Sequence, residues 1–81
     1  MRDLNTFYID RRTLNSGSIL VNDAKMAKKI KDLLEQLNIS HSVIITKNSE
    51  NLYYELQMFR IKRKIFELVS LIKGEFECLK N

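Results

Sequence analysis

The apolar residues of this 81-residue chain change their spacing in the same order twice over. Two short runs rich in β-branched and aromatic residues come first, Thr6-Phe7-Tyr8-Ile9 and Ser18-Ile19-Leu20-Val21. From Met26 the interval lengthens to three and four, through Ala27, Ile30, Leu33, Leu34 and Leu37. The β-branched run Val43-Ile44-Ile45-Thr46 follows, and then a stretch that alternates from Leu52 to Phe59. Helical spacing returns at Ile61, Ile65, Leu68, Val69 and Ile72. A strand repeats its faces every two residues and a helix every 3.6, so the order reads strand-strand-helix twice.

Local chemistry marks the boundaries. The first strand is expected over about residues 5–12, and Leu14-Asn15-Ser16-Gly17 carries the Asn, Ser and Gly of a hairpin turn. Asn22 or Asp23 can cap the first helix by accepting its unpaired N–H groups, and Asn38 can end it in a left-handed conformation. Lys47 to Asn51 is polar and reads as a second turn, and Gly74 stands where the last helix is expected to stop, with the tail from Phe76 to Asn81 either extending it past Gly74 or folding back. In the fourth strand Leu52, Tyr54, Leu56 and Met58 share one face; Tyr53, Glu55, Gln57 and Phe59 share the other. The simplest architecture is a single α+β domain over residues 1–81. It is a two-layer sandwich with a four-stranded antiparallel sheet and both helices on one face. The two halves are similar in length, so a duplicated ββα unit is conceivable, although their residues share little.

A chain of this length buries only about 60–65% of the surface that its unfolded form exposes, which leaves a modest stability and favours a second copy or a partner. No apolar run approaches a membrane span, and Asp3, Asp10, Arg11 and Arg12 interrupt any leader-like segment, so a cytoplasmic location is expected. One cysteine, Cys78, and one histidine, His41, leave no material for a disulfide, a cysteine metal site or a Ser/His nucleophile. Cys78 is expected as a small hydrophobe, Met26 and Met58 as core, and His41 as an ordinary strand residue. The net charge of +4 and pI of about 9.4 suit a polyanionic partner.

From Ser18 onward the residues resemble half of a LAGLIDADG homing endonuclease, or the related endonuclease domain of inteins. The resemblance is carried by Gly17-Ser18-Ile19, by Ala27 to Ile39, by Tyr53-Tyr54-Glu55-Leu56-Gln57-Met58 and by Ile61 to Ile72, roughly 60 of the 81 residues. In that family a signature helix ends in an acidic residue that holds the metal ion for phosphodiester cleavage. Tyr8-Ile9-Asp10 looks like the end of that signature, which would make Asp10 the metal-binding carboxylate. Behind it, however, the family's glycine-acid-glycine is replaced by Arg11-Arg12-Thr13, and Asn5, Thr6 and Phe7 stand where the family has small packing residues. The resemblance therefore implies a reduced half that has lost cleavage. Asp10 is expected as a strand-end aspartate paired with Arg11 or Arg12.

Three functions follow as expectations. The first is a non-catalytic nucleic-acid-binding module working as a homodimer without a cofactor, with Arg11, Arg12, Lys28, Lys29, Arg60, Lys62, Arg63 and Lys64 meeting phosphates. Of these, Arg60 to Lys64 is the denser cluster, because it contains no acid and sits against the dipole of the helix it precedes. Lys28 and Lys29, with Lys25 and Lys31, equally suit the solvated face of a helix that also carries Asp32 and Glu35. The second function is a small protein-binding inhibitor or adaptor that uses Tyr53, Glu55, Gln57 and Phe59 as its contact surface. The third is an active nuclease, with Asp10 holding Mg²⁺. The family's sheet reads DNA with Arg, Lys, Gln and Asn, and of the four exposed positions only Gln57 is of that type.

Overall fold

The computed structural model describes residues 6–48 and 51–80. Its elements are β1 (Thr6–Ile9), β2 (Ser16–Val21), α1 (Ala24–Gln36), β3 (Ser40–Asn48), β4 (Asn51–Phe59), a 3₁₀ turn (Lys62–Lys64) and α2 (Ile65–Lys80). The four strands form one antiparallel sheet in the order β1-β2-β4-β3, with both helices on one face. Each ββα unit contributes a hairpin whose second strand is central, β2 from the first and β4 from the second. The topology thus repeats the order seen in the spacing of apolar residues.

The register sorts the side chains into two faces. Phe7 and Ile9 of β1 and Ile19 and Val21 of β2 share the helix side with Leu56 and Met58 of β4. Against them pack Met26, Ala27, Ile30 and Leu34 of α1 and Leu68 and Ile72 of α2, with Ile39 and Ile61 closing the core. Both methionines expected in the core are buried there. Among the described residues the core contains no polar side chain, so it needs no internal hydrogen-bond partners.

Asp23 is the residue that caps α1. It lies in an extended conformation and its Oδ1 accepts the Lys25 N–H at 3.2 Å. Asn38 takes a positive φ of 59° and Ile39 N–H returns to the Leu34 carbonyl, which closes the helix. Replacing Asp23 by Ala leaves that N–H without its side-chain acceptor and is expected to lower stability by about 1 kcal/mol in urea unfolding.

Four sequence expectations change. β1 ends at Ile9 rather than near residue 12, because the Asp10 carboxylate and carbonyl draw the following N–H groups into a turn. Gly17 lies inside β2 and not in the turn, and Leu14 instead holds the left-handed position at φ 54°. The polar residues Lys47, Asn48 and Asn51 belong to paired strands, with Asn48 opposite Asn51. α2 does not stop at Gly74 but runs on to Lys80, the first of the two courses open to the tail, and a Cβ built on Gly74 meets nothing within 4 Å. Gly74→Ala should therefore stabilise the domain, by roughly 0.5–1 kcal/mol in the same urea assay, because alanine restricts the unfolded chain without clashing. The packing expected of the Cys78 side chain lies outside the described residues.

Candidate nucleic-acid interface

Asp10 organises a loop. Its Oδ1 accepts the Arg12 N–H at 3.0 Å and its Oδ2 the Thr13 hydroxyl at 3.3 Å. Its backbone N–H reaches Ser16 O, and its carbonyl accepts the Leu14 N–H. The expected pairing with an arginine is therefore made to backbone, not to guanidinium. Among the described residues no three His, Cys, Asp or Glu side chains are grouped as metal ligands.

The loop reaches across to the second half of the chain through Asn15. The Asn15 carbonyl accepts Ile61 N–H at 3.2 Å, and its Oδ1 accepts Lys62 N–H, also at 3.2 Å. One residue therefore joins the loop bearing Arg11 and Arg12 to the segment bearing Arg60, Lys62 and Arg63. All five cations are exposed, and none makes an ion pair among the described residues. Two residues with side chains hold left-handed backbone in these same segments, Leu14 and Arg60 at φ 54° and 56°. Each such conformation costs about 1 kcal/mol or more and persists only where the surroundings over-determine it.

The remaining expected cations lie elsewhere. Lys64 is half-buried and donates to the Leu37 carbonyl at the end of α1, which turns its charge to helix capping. Lys28 pairs with Asp32 at 3.4 Å on the exposed face of α1. Lys31 pairs with Glu35 three positions further along, and this carboxylate, by hydrogen bond and charge, raises the lysine pKa. Lys29 also lies on that face, away from the five. These pairs are those of a solvated helix surface.

The open face of the sheet carries another chemistry. Rows across it read Tyr8, Ser18, Gln57, Ser42, then Thr6, Leu20, Glu55, Ile44, then Ser16, Phe59, Ser40, with Tyr53 beside Thr46. Glu55 is its only formal charge among the described residues; the rest is hydroxyl, amide, aliphatic and aromatic. Tyr53, Glu55, Gln57 and Phe59 all occupy the face expected of them. A shallow hollow of about 270 Å³ lies at the end of this face nearest the basic loop. Ser16, Gly17 and Ser18 line it between Tyr8 and Phe59, with Glu55 and Gln57 at its border. Gln57 Nε2 donates to Glu55 Oε2 at 3.3 Å, so amide and carboxylate are held together. Tyr8 is 60% exposed and Phe59 42%, which leaves both rings accessible. Sequence reasoning missed Tyr8, because only the order β1-β2-β4 brings it to the same hollow as Phe59. His41 is a half-buried strand residue whose Nδ1 lies 2.8 Å from Ile39 O. No helix among the described residues is long and apolar enough to cross a membrane.

Comparison with known protein families, curated proteins and solved structures finds no match.

Proposed function

We propose that the chain is a non-catalytic nucleic-acid-binding module, of the kind its resemblance to a LAGLIDADG half implies, and that it grips single strands. The observation that carries this reading is the meeting of two distant basic segments on Asn15, which gathers five exposed cations at one end of the sheet. Like charges repel, so drawing them together at the expense of two left-handed residues points to an anion as their complement. Phosphates fit that end, and bases fit the hollow beside it. Tyr8 and Phe59 offer faces for stacking, while Glu55 repels phosphate yet accepts from an amino group such as cytosine N4. A face without cations does not follow the two phosphate backbones of a duplex, which favours a single strand.

Fluorescence anisotropy with a labelled single strand of mixed sequence tests the reading. With five phosphate contacts the slope of log affinity against log salt is about −3.5, so affinity falls roughly 100-fold between about 50 and 200 mM salt. The double variant Arg11→Gln, Arg63→Gln should shorten that slope by about 1.4, whereas Tyr8→Ala should weaken binding at unchanged slope by about 1–3 kcal/mol. Absence of binding at about 50 mM salt overturns the proposal, as does a slope indifferent to the arginines.

A further inference from the structure

The two edges of the sheet are built differently. β1 is four residues long and gives way at once to the charged loop. β3 is nine residues long and pairs with β4 without a bulge from Ser40 to Asn48. Its other side faces no strand, and every residue from Ser42 to Lys47 is exposed. Val43, Ile44 and Ile45 stand in its middle, 39%, 40% and 61% exposed. Soluble proteins protect such edges with proline, inward charges, bulges or brevity. From Ser40 to Lys47, β3 carries a single charge, Lys47, and no other of these devices.

The strand is also self-complementary. Placed antiparallel to a copy of itself with a two-fold axis at Ile44, Val43 meets Ile45 on the helix side, and Ile44 meets Ile44 on the open side. Ser42 then meets Thr46, and His41 meets Lys47, so apolar faces apolar and polar faces polar. Moving the axis to Val43 sets Ile45 against His41; moving it to Ile45 sets Lys47 against Val43. Only the first register matches throughout. We propose that β3 is the edge through which two copies of this chain join, forming a continuous eight-stranded sheet with the two β3 strands paired about Ile44. The occupant is a second copy because the strand's own residue order supplies its complement. The seven paired residues from His41 to Lys47 span about 24 Å and bury on the order of 500 Å² per copy, the lower end of specific interfaces, so the dimer is weak and reversible. The proposal stands apart from the nucleic-acid reading, which uses the basic loop and the hollow beside β1, at the other edge of the sheet.

Sedimentation equilibrium from about 1 to about 200 μM should show the mass rising from one copy to two and no further, as expected of a small closed interface. Ile44→Lys places two ammonium groups against each other on the axis and should hold the protein at one copy, with an unchanged circular dichroism spectrum. In a Cys78→Ser background, Ile44→Cys should form a covalent dimer in oxidised glutathione. Thr46→Cys should not, since its copy lies about 13 Å along the partner strand, beyond disulfide reach. A parent chain that stays single, a mass that climbs past two copies, or Thr46→Cys linking as readily as Ile44→Cys overturns the proposal.

Discussion

Leu56→Ala should cost about 3–4 kcal/mol of unfolding free energy, measured by urea denaturation. Leu56 is completely buried in the central strand β4, opposite Ile19 on one side and Val43 on the other. The substitution removes most of an apolar side chain from water-free surroundings and leaves a cavity, and neighbours held by two ladders cannot close in on it. A domain of this length has about 4–12 kcal/mol to lose, so the variant should be partly unfolded near physiological temperature. A change below about 1 kcal/mol would show that the sheet repacks around the gap and that the core is looser than its burial indicates.

Gly17→Ala should reverse the usual trend, in which alanine improves on glycine inside a strand by about 0.5–1 kcal/mol. A Cβ at Gly17 would lie 2.3 Å from the Tyr8 carbonyl oxygen and 3.3 Å from the Ile9 Cα. Both are backbone atoms, so no side-chain rotation relieves the clash and β1 itself must move. Because β1 is short and pairs only with β2, the expected result is displacement of the strand and a loss of about 2–3 kcal/mol. Hydrogen exchange should locate that loss in Thr6–Ile9 and in the loop bearing Arg11 and Arg12, leaving β3 and β4 protected. Equal protection of β1 in parent and variant would mean the close approach is not needed.

How much of this was legible in the sequence depended on the range of the interaction. α1, its Asn38 exit and the two faces of β4 follow from spacing alone, because each rests on contacts within a few residues. Gly17 was misplaced because glycine serves both turns and close strand approaches, and the second use depends on a partner strand. Gly74 marks a stop by residue type and leaves the course of the tail open, yet its neighbours favour helix strongly enough to carry one poor former. The Arg60–Lys64 cluster was visible, but its union with Arg11 and Arg12 was not. That union rests on Asn15 and Lys62, 47 positions apart, and no local pattern encodes it. For the same reason the role of Lys64 is not local: it resembles its basic neighbours in the sequence, yet donates to the carbonyl of Leu37 in α1.

The uneven reach of the two hairpins bears on how the chain folds. The nine-pair ladder of β3 and β4 joins residues close in sequence, as do the turns of α1, whereas β2 and β4 meet only after a loop of more than thirty residues closes. Local contacts form before that loop closes, so the β3–β4 hairpin should be the early nucleus and the addition of β1 and β2 the slower step. During that interval both sides of the hairpin are bare: β3 outward, and β4 where β2 will lie. Refolding should accordingly be fast and single-phased in dilute solution and acquire a concentration-dependent slow phase as chains become crowded.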